Sequence, residues 1–178
     1  MRVIAGAFKG RRLEAPAWPG LRPTSDKLRE TLFNVLRASI ADARVMDGYA
    51  GSGAVGIEAL SRGAAHVTFV EADARAVALV KRNLERCGIA SGYAIIRADL
   101  SGTVARPAQA PFDIVFLDPP YQLDPADVMQ AIGGWLTPEG AIVLEHARRG
   151  TPPERLGGLA RVRQIVSGDS ALSFYRHE

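Results

Sequence analysis

The tetrapeptide Asp118-Pro119-Pro120-Tyr121 holds the residue types best suited to chemistry in this chain. It follows residues 114–117, a short β-branched and aromatic run that predicts a buried strand. The prolines end this strand because neither can donate a hydrogen bond to a neighbouring strand. Ligands of open α/β sheets bind at the carboxyl ends of strands, so a turn with a carboxylate, carbonyl groups and a ring is suited to hold a nucleobase by its exocyclic amine. The alternative is a proline-rich strand exit that Asp118 caps.

A glycine-rich loop at residues 47–56 is a second candidate site. Gly51, Gly53 and Gly56 fit the pattern G-x-G-x-x-G, and the acidic Glu71 follows about 20 residues later, which is the spacing of dinucleotide-binding proteins. Glycines allow positive φ angles and a close approach of the backbone to a ligand. Glu71 is placed to accept hydrogen bonds from both hydroxyls of a ribose. The glycine pattern by itself does not identify the ligand.

Three acidic residues, Asp47, Glu71 and Asp99, end three successive predicted strands. Asp47 would repel a pyrophosphate but would attract a cationic or amino-bearing group, and Asp99 is placed to accept a hydrogen bond from an adenine amino group. S-adenosylmethionine carries a sulfonium, an ammonium, a ribose diol and an adenine amine, and it has no phosphate. The acids therefore favour this cofactor over NAD. The alternative is that Asp47 and Asp99 only cap the turns that follow them.

From residue 44 onward, apolar runs alternate with segments of helical periodicity. This alternation predicts an α/β fold with a mostly parallel sheet and helices on both faces. The tail predicts a hairpin around residues 167–169 and therefore an antiparallel edge. The predicted strands are residues 45–47, 67–71, 93–97, 114–117, 140–145, 161–166 and 171–175, and the predicted helices are residues 54–62, 74–86 and 127–135.

The first part of the chain predicts a small hairpin followed by an extended stretch. Residues 3–5 and 12–14 have the pattern of two short strands around a glycine-containing turn. Prolines at positions 16, 19 and 23 exclude a helix there, and Thr24 or Ser25 can cap the helix that follows. Five apolar residues of that helix fall on one face, namely Leu28, Leu32, Val35, Leu36 and Ile40.

Length and composition predict one globular domain over residues 1–178, with residues 1–23 as an extension of a core at 24–178. No apolar run is long enough to span a membrane, and the beginning of the chain lacks the pattern of a signal peptide. One cysteine, Cys87, fits a reducing cytoplasm. Three scattered histidines and one cysteine offer no metal-binding cluster. We therefore expect a cytoplasmic protein without a metal and, by default, a monomer.

Positive charge is concentrated at the beginning of the chain. Residues 1–44 contain nine basic and four acidic residues, a balance of +5, whereas the remaining 134 residues sum to −2. This asymmetry predicts a contact with a polyanion, although a solvated basic surface has the same composition. The candidates for contacts with an RNA backbone are Arg2, Lys9, Arg11 and Arg12.

The acids and the proline turn, taken in this order, resemble the motifs of class I S-adenosylmethionine-dependent methyltransferases that act on amino groups of bases. Residues 6–13, 22–34 and 51–64 further resemble the RsmD family of bacterial 16S ribosomal RNA guanine-N2 methyltransferases. The similarity extends over nearly the whole chain, and residues 22–34 are its most specific part. The chain departs from the family at Gly48-Tyr49, where a leucine and a phenylalanine are usual.

The resemblance implies a Rossmann-like fold with a seven-stranded, mostly parallel sheet, an antiparallel last strand and an N-terminal β-hairpin. It implies S-adenosyl-L-methionine as cofactor and, as substrate, a guanine of 16S rRNA in an assembled or nearly assembled small ribosomal subunit. The residues that it assigns to the cofactor are Asp47, Ala50, Gly51, Ser52, Gly53, Glu71, Ala72, Asp99, Leu100, Arg22 and Thr24. From charge alone, Arg22 could equally contact an RNA phosphate.

Asp118, Pro119, Pro120 and Tyr121 are the candidate catalytic residues. Asp118 and the carbonyl of Pro119 would accept the two hydrogens of guanine N2, and Tyr121 would stack on the flipped base. The proton would pass either to Asp118 or to water.

Three competing hypotheses share some of these motifs. Adenine-N6 methyltransferases of RNA or DNA share the proline turn, and NAD-dependent oxidoreductases share the glycine loop. A non-enzymatic RNA-binding assembly factor would share the fold. The acids at strand ends favour a methyltransferase over the last two.

Overall fold

The computed structural model describes residues 1–18, 24–100, 107–120 and 122–178 of the chain. Two candidate site residues, Arg22 and Tyr121, lie outside the described residues. The described residues form one eight-stranded sheet with helices on both faces. The strands are β1 (Arg44–Gly48), β2 (His66–Glu71), β3 (Tyr93–Arg97), β4 (Phe112–Leu117), β5 (Leu136–Ala147), β6 (Arg155–Leu156), β7 (Leu159–Ser167) and β8 (Ser170–His177).

The strand order is β3-β2-β1-β4-β5-β8-β7-β6, and the first five of these strands in the chain are parallel to one another. β8 is antiparallel to both of its neighbours, β5 and β7. The predicted mostly parallel sheet with an antiparallel last strand is therefore confirmed. β6 adds an eighth strand of only two residues, which is too short to produce a sequence pattern.

Four α-helices cover the sheet, and each begins or ends near a residue that explains its boundary. They are α1 (Asp26–Val35), α2 (Ala54–Ser61), α3 (Ala74–Arg86) and α4 (Pro125–Ile132). Ser25 caps α1 by accepting a hydrogen bond from the amide of Leu28, and Asp73 caps α3 in the same way. The helix predicted at residues 127–135 begins earlier, because Asp124 caps it, and its last residues form a 3₁₀ turn, Gly133–Trp135.

Alternate residues of the central strands contribute to two separate hydrophobic clusters. Phe116 and Val143 pack with α1, α2 and α3 on one face, whereas Leu117 and Leu144 pack with α4 on the other. The sheet is therefore buried on both sides, as expected for parallel strands. No helix among the described residues is long and apolar enough to cross a lipid bilayer.

The N-terminal ribbon, residues 1–14, folds back on itself but contains less sheet than predicted. Arg2 and Arg12 form a single antiparallel bridge, and flanking backbone hydrogen bonds extend it, including one from the amide of Val3 to the carbonyl of Arg11 at 3.0 Å. Side chains of α2 and α3 replace the missing strand pairing. Glu58 accepts hydrogen bonds from the amides of Ile4 and Ala5 at 2.7 and 3.0 Å.

Candidate active site

A cleft lies at the carboxyl edge of the parallel strands, between the loop after β1 and the end of β4. Its lining residues are Pro16, Thr24, Asp47, Tyr49, Ala50, Gly51, Ser52, Ala54, Val55, Phe116 and Asp118. The candidate site residues among them are Thr24, Asp47, Ala50, Gly51, Ser52 and Asp118. The structure therefore brings the glycine loop and the proline turn, which were singled out separately, to the same cleft.

The glycine loop connects β1 to α2 through backbone conformations that depend on glycine. Gly53 is the N-cap of α2 and has a φ of 76°, in the left-handed region. A Cβ atom at Gly56 would lie only 2.3 Å from a ring carbon of Phe69, so this glycine permits α2 to pack against β2. The motif spacing thus corresponds to a close helix–strand contact and a sharp turn, as in nucleotide-binding loops.

Asp47 ends β1 beneath the loop and is 2% exposed. Its Oδ2 atom accepts a hydrogen bond from the amide of Gly56 at 2.8 Å, so it does bond to the first turns of α2. It also lines the cleft. Burial raises the pKa of Asp47 to about 8, a rise that the hydrogen bond from Gly56 opposes and the nearby Glu71 carboxylate reinforces.

Glu71 ends β2 and binds two backbone segments with its two oxygens. Oε2 accepts from the amide of Gly51 and Oε1 from the amide of Asp73, each at 2.9 Å. Glu71 thus joins the glycine loop to the start of α3. Ala72 follows it at the surface, Asp99 is exposed after β3, and Leu100 is buried in the cluster that faces α4.

Tyr49 is a loop residue that sequence reasoning noted only as a departure from the family. Its φ is 61°, which is rare for a tyrosine. Its hydroxyl is buried and has no hydrogen-bond partner among the described residues. Burial, together with the negative charge of Asp99, raises the pKa of Tyr49 to about 12.

Asp118 follows β4 and faces the same cleft. Its pKa lies well above the usual range, first because it is buried and then because the carboxylates of Glu145 and Asp47 are near. Pro119 is buried, and the carbonyl of Pro120 accepts a hydrogen bond from the amide of Leu123 at 2.9 Å. Glu145, near the end of β5, is a site residue that sequence reasoning missed.

Glu145 is 9% exposed and accepts a hydrogen bond from Oγ1 of Thr24 at 3.1 Å. The sequence did contain a signal for Glu145, because the predicted strand at residues 140–145 ends in this acid just as other strands end in Asp47 and Glu71. What could not be read from the sequence was the pairing of β4 with β5, which brings Glu145 next to Asp118.

The basic residues of the N-terminal ribbon lie at the surface of the protein. Arg2, Lys9, Arg11 and Arg12 are all exposed. Arg11 donates a hydrogen bond to the carbonyl of Cys87, and its guanidinium lies 5.6 Å from the ring centre of Phe8. Asn83, in the last turn of α3, donates a hydrogen bond to the carbonyl of Ser52, a residue that lines the cleft, at 2.9 Å. The ribbon's contact with Cys87 therefore lies about one helical turn beyond this bond.

The central strand order with an antiparallel β8, together with acids at the ends of β1, β2 and β3, defines a class I methyltransferase. A family model described as Conserved hypothetical protein 95 matches residues 1–176. The chain therefore belongs to the RsmD family, and the resemblance seen in its sequence is confirmed.

Two relatives and one solved structure illustrate this membership. Ribosomal RNA small subunit methyltransferase D of Escherichia coli K12 is 36% identical over 181 residues, which cover all of this chain and 90% of that protein. The protein of the same name from Haemophilus influenzae is 41% identical over 152 residues, covering 82% and 78% of the two chains. The structure of yhhF from Escherichia coli, described provisionally as a methyltransferase, superposes with a TM-score of 0.87 at 33% identity and covers 100% of this chain and 98% of its own.

Proposed function

We propose that this protein transfers a methyl group from S-adenosyl-L-methionine to the exocyclic N2 of a guanine in 16S rRNA of the small ribosomal subunit. The observation that carries the proposal is that Asp47 and the glycine loop line the same cleft as Asp118, the first residue of the proline turn. The relatives named ribosomal RNA small subunit methyltransferase D support the choice of RNA.

The cleft has the chemistry that this cofactor requires. The described residues that line it include two carboxylates and no positively charged side chain, so they favour a cationic ligand over a pyrophosphate. We assign the ammonium group to Asp47, the ribose hydroxyls to Glu71 and the adenine amine to Asp99, while the loop residues Ala50, Gly51, Ser52 and Gly53 pack along the ligand. When bound, the cofactor supplies an electrophilic methyl group.

The proline turn is suited to hold the acceptor amine. The lone pair of guanine N2 is delocalised into the ring, so N2 is a poor nucleophile until its hydrogens are held out of the ring plane. Asp118 accepts one N2 hydrogen and the carbonyl of Pro119 accepts the other, and these bonds aim the lone pair at the methyl group and stabilise positive charge on nitrogen. We further assign Tyr121 to stacking on the base, and Arg22 and Thr24 to covering the cleft.

The deciding experiment measures transfer of a labelled methyl group to small ribosomal subunits that lack the modification. Naked 16S rRNA and duplex DNA serve as parallel substrates, and mass spectrometry identifies the methylated nucleoside. N2-methylguanine, formed mainly on subunits, is the expected result. Formation of N6-methyladenine would show that the target base is an adenine and not a guanine. Cofactor binding without transfer to any substrate would favour a binding factor, and failure to bind the cofactor would contradict the assignment of the cleft.

Asp118→Ala tests the role of the turn. The variant should lose most of its turnover, at least about 100-fold, because the amine is no longer oriented, and it should keep most of its affinity for the cofactor. Single-turnover rates and calorimetric cofactor binding measure the two effects. Asp127→Ala, which removes an exposed carboxylate from α4, is the matched control. A wild-type rate for Asp118→Ala would contradict the mechanism.

A further inference from the structure

Two carboxylates stand side by side at the catalytic edge of the sheet. Leu117 of β4 pairs with Leu144 of β5, so the residues that follow, Asp118 and Glu145, occupy neighbouring positions on adjacent parallel strands. The backbones of such strands lie about 4.8 Å apart. Phe116 and Val143, two residues earlier, face α1 and α2, and because strand side chains alternate, Asp118 and Glu145 continue on that face.

Glu145 is anchored rather than free to turn away from its neighbour. Thr24, which directly precedes the N-cap of α1, donates its hydroxyl hydrogen to Oε2 of Glu145 at 3.1 Å. Glu145 is 9% exposed, so little of it is in contact with water. The start of α1 therefore holds Glu145 against the turn.

The charged and titratable groups that face Asp118 in the described part of the chain are acidic or neutral. Glu145 faces it from β5 and Asp47 from β1, while Tyr49 and Thr24 line the same cleft from the glycine loop and from the residues before α1. None of the described lining residues carries a positive charge. Ionising both of two adjacent buried carboxyl groups is costly. The pair therefore keeps one proton to a higher pH than either group would alone.

The reaction assigned above requires an acceptor for a proton. As the bond from N2 to the methyl carbon forms, the carbon–sulfur bond breaks and its electron pair stays on sulfur, which becomes a neutral thioether. The nitrogen is then positively charged until one N–H bond breaks, with its electron pair kept on nitrogen. A carboxylate with an ordinary pKa is a weak proton acceptor at neutral pH. A carboxylate beside a second negative charge is a stronger proton acceptor.

We propose that Glu145 is a positioning residue whose negative charge, held by Thr24, enables Asp118 to accept the proton released from the methylated amine. The proton moves from nitrogen to a carboxylate oxygen of Asp118 and leaves to solvent after the product departs. This inference rests on the proposed function, because it deepens the role of the same turn.

The electrostatic part is tested without any substrate. Carbon-13 NMR of the side-chain carboxyls follows the titration of Asp118, assigned by its loss in Asp118→Asn. Glu145→Gln keeps an oxygen for Thr24 but removes the charge, so it should move the Asp118 midpoint about one pH unit or more toward acid. Glu145→Asp, which keeps the charge, and Glu139→Gln, which removes an exposed carboxylate from the same strand, should leave the midpoint near its wild-type value. An unmoved midpoint in Glu145→Gln overturns the proposal.

The catalytic part is tested by single-turnover methyl transfer to RNA as a function of pH. The rate should require ionised Asp118, so the acidic limb of the profile should follow the NMR midpoint, and Glu145→Gln should shift that limb to lower pH while its plateau rate falls. If the pH profile of the rate does not shift although the NMR midpoint of Asp118 does, Asp118 is not the proton acceptor. Failure of the unaltered protein to methylate any RNA would instead overturn the proposed function, and the NMR titration would distinguish the two.

Discussion

At Asp47, burial and hydrogen bonding act on one carboxyl group in opposite directions. Removal from water favours the neutral acid, whereas the amide of Gly56 favours the carboxylate, and burial dominates with a pKa of about 8. The carboxyl group therefore keeps its proton at neutral pH while no cation faces it. A ligand with an ammonium group would reverse this preference, so ligand binding at pH 7 should release protons from the cleft.

Asp47→Asn should reduce the dependence of stability on pH. The folded-state pKa is raised above the unfolded value of about 3.9, so the stabilisation is complete below that value and is lost as the pH rises to about 8. Over this range the free energy of unfolding falls by at most about 1.4 kcal/mol per pH unit. Urea unfolding between pH 4 and 9 should show a flatter profile for the variant, and Asp127→Asn should retain the wild-type slope. An unchanged slope in Asp47→Asn would refute the raised pKa.

Tyr49→Phe should stabilise the ligand-free protein. The hydroxyl of Tyr49 is buried without a partner among the described residues, and such a group costs about 1 kcal/mol or more. Removing it should raise the melting temperature by about 2 to 4 °C. The matched control is Tyr175→Phe, because the hydroxyl of Tyr175 donates to the carbonyl of Pro153 at 2.8 Å, so its loss should destabilise. Equal shifts of the melting temperature in Tyr49→Phe and Tyr175→Phe would contradict this account.

At the scale of elements, α2 has two distinct tasks. Its first turn bonds to Asp47, and its last turns hold the N-terminal ribbon through Glu58 and Ser61. Glu58 is 1% exposed and also accepts a hydrogen bond from Nε of Arg62 at 2.7 Å. A buried carboxylate thus replaces the backbone pairing that the ribbon lacks.

Glu58→Ala should detach the ribbon and cost about 3 kcal/mol of stability. Two amides, those of Ile4 and Ala5, would lose their acceptor, and Arg62 would lose its partner. Amide hydrogen exchange at residues 4 and 5 and urea unfolding measure the two effects. Glu30→Ala on the exposed side of α1 should change neither. Protected amides at residues 4 and 5 in Glu58→Ala would show that other contacts hold the ribbon.

Local signals predicted the elements well where each element has its own pattern. β3 has the predicted bounds of residues 93–97, and Asp73 caps α3 as expected. β5 is longer than predicted, because it begins at Leu136, which pairs with Phe112 before a register irregularity, and residues 137–139 interrupt the apolar run. The contact of Thr24 with Glu145 joins residues 121 positions apart, and no periodicity reports such a contact.

For the whole molecule, the distribution of charge separates two kinds of contact. The described lining of the cleft includes two acids and no basic residue, whereas the ribbon, which bonds to α2 and α3, carries exposed basic residues. An RNA bound at both places would bring its target base to the acidic edge and its backbone to the basic surface. Affinity would then come chiefly from backbone contacts that do not read the reacting base.

The double variant Lys9→Ala/Arg12→Ala should weaken RNA binding and flatten its salt dependence. Loss of two phosphate contacts lowers the slope of log affinity against log salt by about 2 and raises the Michaelis constant for RNA. Filter binding between about 50 and 200 mM salt measures the slope. Arg163→Ala/Arg176→Ala removes the same charge from exposed positions on β7 and β8. If both double variants change the slope equally, net charge rather than the ribbon governs binding.

The position of β8 between β5 and β7 has a consequence for how the chain is made. Translation produces β7 before β8, yet β7 joins the sheet only through β8. The edge of β5 therefore stays open on the nascent chain until β8 has emerged from the ribosome. A product that stops between these two strands would present a bare strand edge to other chains, so we expect truncated translation products to aggregate where the full chain remains dispersed.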